Sequence, residues 1–158
     1  MRTLRLFLAV LLVVSGLVAQ PRIDATVDTT DTKLLTQPAI SASHIAFIYA
    51  GDLYSPDLNG RSVRRLTSDE SVETNPVFSP DGSTIAFSAQ YDGNLDLFTV
   101  PVTGGAPTRL TWHPFLDLVQ GFTPDGKAVL FASPRAAFNN RYLQLYTVPV
   151  QGGVEEQL

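Results

Sequence analysis

From residue 38 onward, apolar positions fall in short runs divided by turn residues, and the runs recur. Ile45-Ala46-Phe47, Ile85-Ala86-Phe87 and Val129-Leu130-Phe131 form one set. Leu97-Phe98-Thr99-Val100-Pro101-Val102 returns as Leu145-Tyr146-Thr147-Val148-Pro149-Val150, and Gly104-Gly105 as Gly152-Gly153. Arg65-Leu66-Thr67 matches Arg109-Leu110-Thr111. Phe47 and Phe87 lie 40 residues apart, and Phe87 and Phe131 lie 44 apart. A period of this length with four short strand signals in each unit predicts an all-β fold of β-propeller blades. The units are expected at about 37–67, 75–111 and 120–158.

In the second unit the expected strands are 75–79, 84–89, 95–102 and 107–111. Pro80-Asp81-Gly82 is a turn: proline presets φ, aspartate bonds its own backbone and glycine accepts positive φ. Pro101 falls near a strand end, where its missing N–H costs least. In the first unit the corresponding turn shortens to Ala42-Ser43-His44. Runs such as Ile85-Ala86-Phe87 are apolar on both faces, so these strands need cover on both sides. Blades packed face to face supply it. The rival all-β arrangement, a two-sheet sandwich, does not explain the repeat. Three units fall short of the usual 4–8 blades of a closed ring, so the chain reads as a truncated piece that needs further blades.

The N-terminus follows a different pattern. Arg2 and Arg5 precede an apolar run from Leu6 to Val14, and small residues follow as far as Ala19. That order predicts a secretory signal peptide over 1–19, cut after Ala19. The run is shorter than the ~20 residues of a spanning helix, which disfavours a membrane anchor. Residues 20–36 carry Asp24, Asp28, Asp31 and several threonines, and read as a flexible lead-in. The mature chain is expected to be periplasmic or secreted and free of the membrane.

Composition narrows the chemistry. The net charge is −4 with no basic cluster, which argues against nucleic-acid binding. There is no cysteine, so disulfides, thiolate metal sites and a cysteine nucleophile are excluded. His44 and His113 are the two histidines. No G-x-S-x-G elbow occurs, and Ser79 reads as a turn hydroxyl. Asp92-Gly93-Asn94-Leu95-Asp96 begins like a calcium loop. It has Leu97 where the sixth-place glycine belongs and Thr103 where the bidentate glutamate belongs, so it reads as an Asx-rich turn. No catalytic, metal or cofactor residue is expected. Most aromatics fall on strand positions and read as core. Contact candidates are Trp112 and His113, leaving the second unit, with Arg135, Phe138 and Arg141 in an insertion that lengthens a loop of the third.

The motif set resembles the N-terminal propeller of tricorn-type proteases. The carrying residues are Tyr49-Ala50-Gly51-Asp52-Leu53-Tyr54, Phe78-Ser79-Pro80-Asp81-Gly82, Tyr91-Asp92-Gly93-Asn94-Leu95-Asp96-Leu97-Phe98 and Val100-Pro101. Gly104-Gly105 and Arg109-Leu110-Thr111-Trp112-His113-Pro114 complete them, and the resemblance runs from about Lys33 to Leu158. Ser-Pro-Asp-Gly is shared with TolB-type and prolyl-oligopeptidase-type propellers; the Tyr-Asp-Gly-Asn and Leu-Thr-Trp-His-Pro elements favour tricorn. The resemblance implies a six-bladed propeller, a seven-bladed one, and then a serine peptidase domain that trims oligopeptides. This chain matches only the first part. It would be a non-catalytic segment that guides or gates peptides, with peptides or proteins, the remaining blades and a peptidase domain as partners. A TolB-like binding propeller without enzymatic activity and the propeller of a prolyl-oligopeptidase-type enzyme are the alternatives. The signal peptide departs from cytosolic tricorn relatives and implies an exported one.

Overall fold

The computed structural model describes residues 35–136 and 142–158. The expected signal peptide, the lead-in as far as residue 34, and the candidates Phe138 and Arg141 lie outside these residues.

The described chain forms three four-stranded antiparallel sheets, each built from consecutive strands. Blade 1 holds β1 (Leu35–Ile40), β2 (Ile45–Tyr49), β3 (Asp52–Ser55) and β4 (Arg64–Arg65). Blade 2 holds β5 (Glu73–Phe78), β6 (Thr84–Ala89), β7 (Asp96–Pro101) and β8 (Thr108–Arg109). Blade 3 holds β9 (Leu118–Phe122), β10 (Ala128–Ser133), β11 (Gln144–Pro149) and β12 (Glu156–Gln157). The fold class is as the repeat implies. β1 already pairs at Leu35 with Tyr49, inside the stretch expected as lead-in. The outer strands are shorter than expected, two residues each.

The first strands of neighbouring blades approach one another, β1 to β5 and β5 to β9, and so line the inner edge. Each carries a bulge. In the first two it contains a residue at positive φ just before a proline, Gln37 (52°) and Asn75 (54°). These residues link the blades through side chains. Gln37 Oε1 accepts from Thr74 Oγ1 at 2.7 Å and from the Asn75 N–H. Asn75 Nδ2 donates to the Val119 carbonyl at 3.3 Å.

Blade 2 shows why its strands are apolar on both faces. Ile85, Phe87 and Ala89 of β6 pack into one cluster with Ala46, Leu53 and Leu66 of blade 1. Ala86, with Leu97 and Leu110, packs into a second cluster with Val119, Val129 and Val148 of blade 3. Strand period two thus divides one strand between two cores. Directly opposed aromatics recur in every blade: Phe47 with Tyr54, Phe87 with Phe98, and Phe131 with Tyr146, at centroid separations of 5.9, 5.9 and 5.5 Å.

The Pro-Asp-Gly turns require their glycines. Gly82 (φ 71°) and Gly126 (φ 70°) lie where an L side chain is strained. A Cβ on Gly126 would also stand 3.5 Å from Cδ of Pro80 in the preceding turn. The Ser79 hydroxyl donates to Asp81 at 2.5 Å and accepts from the Thr84 N–H at 3.0 Å. These bonds occupy it within the turn.

The repeated Arg-Leu-Thr element has one job per residue. Arg65 pairs with Asp52 at 2.7 Å, and Arg109 with Asp96 at 2.5 Å, joining the fourth strand to the start of the third. Leu66 and Leu110 enter the two cores. Thr67 and Thr111 accept the N–H groups of Leu53 and Leu97 at 2.8 and 3.0 Å. Blade 3 replaces the ion pair with Gln144 and Gln157, bonded at 3.0 Å.

Candidate loop surface at one end of the blades

Antiparallel topology sends the loops between second and third strands to the same end as the connections between blades. That end carries Trp112 and His113 in the connection to blade 3, and Arg135 in the loop after β10.

Asn94 shapes the connection. Its Nδ2 donates to the carbonyls of His113 at 2.5 Å and Phe115 at 3.2 Å, and approaches Asp96 Oδ1 at 3.2 Å. His113 is half-buried, its ring 5.4 Å from that of Phe115, and its Nδ1 accepts the Phe115 N–H at 3.3 Å. Trp112 is 64% exposed, with the Arg109 guanidinium 5.7 Å from its ring centre. A large aromatic surface is therefore presented to solvent on a backbone fixed from beneath. Leu116, in the same connection, is also exposed.

The carboxylates of the calcium-like run are engaged elsewhere. Asp92 and Asp96 both bond Arg109, at 2.7 and 2.5 Å. Burial raises the Asp96 pKa, and Arg109 pulls the other way. Among the described residues, no group of three or more His, Cys, Asp or Glu side chains could hold a metal ion.

Arg135 points inward. It bonds Asp117 at 2.6 Å, Ser133 at 3.1 Å and Glu155 at 3.3 Å, and lies 5.0 and 5.1 Å from the rings of Phe131 and Tyr146. Its side chain is 10% exposed. The structure therefore unites Trp112 and His113 on one surface and turns Arg135 inward, against Asp117, Phe131 and Tyr146, as a packing residue. At the opposite end, a cavity of about 280 Å³ lies between the turns of blades 2 and 3, beside Ser79, Asp81 and Asp125. Hydroxyl and backbone donors from Ser79 and Ser83 lower the Asp81 pKa to about 2.

Sequence reasoning missed Glu73 and Asp117, both wholly buried at the blade junctions. Glu73 ends the polar stretch Thr67-Ser68-Asp69-Glu70-Ser71-Val72-Glu73, which reads as solvated, so no local pattern marks it. The spacing of 44 residues between Glu73 and Asp117 is the one available sign.

A family model for the tricorn protease N-terminal beta propeller domain matches residues 32–158. The chain belongs to that family. This tricorn-family chain is 31% identical over 129 residues to tricorn protease homolog 1 of Streptomyces coelicolor, covering 75% of its own length and 12% of the relative's. The crystal structure of the tricorn protease superposes with a TM-score of 0.62 and 27% identity, covering 73% of this chain and 12% of that one. TolB from Acinetobacter baumannii gives 0.63 and 26%, covering 78% of this chain and 32% of that one. The tricorn-family chain thus spans about an eighth of the length of the tricorn proteins it matches.

Proposed function

We propose that this chain is a non-catalytic propeller segment of an exported tricorn-like serine peptidase, where it guides or gates peptide substrates. The observation carrying the reading is the family match across the three blades. The exposed Trp112, on a connection fixed by Asn94, supports a role in contact. A flat aromatic face beside hydrogen-bonding backbone suits extended peptides of varied sequence. The apolar run after Arg2 and Arg5 supports export.

The test is to sequence the gene beyond the codon for Leu158, express its whole product and treat it with a serine-reactive probe and fluorogenic peptides. Further blades, a labelled serine and peptide cleavage are the expected results. In that product, Trp112→Ala should raise KM for long peptides several-fold and leave short-peptide kcat unchanged. Fusion of residues 1–24 to a reporter should direct the reporter out of the cytoplasm. The TolB likeness supports a second reading, a protein-binding propeller without enzymatic activity. A product that ends after its blades and carries no labelled serine would favour it.

A further inference from the structure

Both blade junctions join two unlike faces. The face of blade 1 turned to blade 2 offers Ala46, Leu53 and Leu66, and Ile85, Phe87 and Phe98 of blade 2 receive it. The face of blade 2 turned to blade 3 offers the equivalent Ala86, Leu97 and Leu110, received by Val129, Phe131 and Tyr146. Each receiving face also buries an acid at the same place, Glu73 bonded by Tyr91 at 2.8 Å and Asp117 by Arg135 at 2.6 Å. The acids' N–H groups reach back to the preceding blade, at Gly51 O (3.0 Å) and Leu95 O (2.8 Å).

One face of each kind is left uncovered. Blade 1 carries a free receiving face, on which the opposed Phe47 and Tyr54 repeat Phe87 and Phe98. Ile45 and Phe47 are only half-buried, whereas Ile85 and Phe87 are wholly buried, and Ile40, paired with Ile45, is exposed. Leu35 pairs with Tyr49 where Glu73 pairs with Ala89, so an apolar residue takes the place of the acid. The face carries a cavity of about 260 Å³ lined by Leu35, Thr36, Pro38, Ile45 and Phe47. Blade 3 carries the free offering face. Leu145 and Leu158 repeat Leu97 and Leu110 but are 46% and 74% exposed, and the half-buried Leu130 repeats Ala86.

We propose that a second copy of this chain covers both faces. Blade 3 of each copy packs on blade 1 of the other, as blade 1 packs on blade 2 within the chain. A head-to-tail contact either closes into a ring or runs on as a filament. Closed propellers hold 4–8 blades. With three blades per chain, two copies give a ring of six, whereas one copy falls below that range and three copies exceed it. The junction pattern continues across the new contact. Leu143 precedes the third strand of blade 3 as Gly51 and Leu95 do in blades 1 and 2, so its carbonyl in the second copy accepts the N–H of Leu35. Pairing also removes both open apolar faces, which an uncapped repeat array otherwise shows to water. The pairing rests on the blade faces and not on the peptidase reading. Further blades in a longer product would compete for the same faces, so the 158-residue chain is itself the species to test.

The experiment measures the mass of the full 158-residue chain by sedimentation equilibrium, beside two variants that place a charge on one open face each, Ile45→Lys and Leu145→Glu. Both variants should keep the circular-dichroism spectrum of the parent. The parent should be a dimer and each variant alone a monomer. An equimolar mixture of the variants should return to a dimer, because one of its contacts is unaltered and the other sets lysine against glutamate. Residues 1–34 are the same in all three proteins, so association through them would leave the variants unchanged. Ile45→Thr, which suits a strand, is the milder second variant and should weaken the dimer about tenfold. A monomeric parent, a series of species growing beyond two copies, a charged variant that still dimerises, or a mixture that stays monomeric would overturn the proposal.

Discussion

The side-chain amide of Asn94 stands 2.5 Å from the carbonyl oxygen of His113. One loop of blade 2 thereby sets the backbone of the connection that carries Trp112. Asn94→Ala removes the donor to the carbonyls of both His113 and Phe115. A loss of about 1–2 kcal/mol in urea unfolding is expected. Trp112 fluorescence anisotropy should fall as the connection loosens, whereas an unchanged anisotropy would show that the connection holds its shape alone.

Arg109 is the only cation among the described residues that pairs with Asp96, whose side chain is 1% exposed. Arg109→Met leaves that carboxylate buried and uncompensated, and a loss of about 3–5 kcal/mol is expected. The Gln144–Gln157 pair of blade 3 shows that the position tolerates a neutral solution. The double change Asp96→Gln with Arg109→Gln should recover more than half the loss, read from chemical denaturation of the four variants in a cycle.

Ser88 is wholly buried, and its Oγ accepts the N–H of Val119 at 2.9 Å across the junction of blades 2 and 3. Ser88→Ala leaves that N–H without a partner. The expected loss is about 1–3 kcal/mol, with faster hydrogen exchange at Val119 as the local readout. Ala132, the counterpart of Ser88 in blade 3, fits its strand without a hydroxyl, so the strand itself tolerates alanine.

Glu73 makes stability depend on pH in a definite direction. Burial raises its folded pKa to about 7, above its ordinary value of 4.5. The folded state therefore holds the proton more tightly than the unfolded state. The stabilisation is fully present at acid pH and is lost as pH rises through about 7, by on the order of 3 kcal/mol for a shift of that size. Thermal unfolding of the parent chain should weaken between pH 5 and pH 8, and Glu73→Gln should flatten that dependence. Equal slopes in the two proteins would remove Glu73 as the cause.

Much of the fold was legible because the repeat encodes it residue by residue. β6 runs from Thr84 to Ala89 as expected, since Pro80-Asp81-Gly82 fixes its start and Gln90 begins the next loop. β5 begins earlier than expected, at Glu73, because the glutamate pairs with Ala89 in the ladder and is covered by the neighbouring blade. β8 is shorter than its run suggests. Leu110 leaves the ladder for the core, and the Thr111 hydroxyl caps the third strand instead. At the surface, Trp112 and His113 stand together as their adjacency implies. Arg135 does not, because an insertion beside it disguises its equivalence to Tyr91. Only the three-dimensional register shows that both side chains fill the same place.

Each of the two apolar clusters spans a pair of blades, and blade 2 contributes to both. Cohesion here is therefore a nearest-neighbour property, as in other stacked repeats. Among the described residues, blades 1 and 3 each take part in one cluster, whereas opening blade 2 dissolves both. The middle blade is the keystone, and the slowest-exchanging amides of the chain belong on β6, whose alternate side chains hold its two neighbours in place.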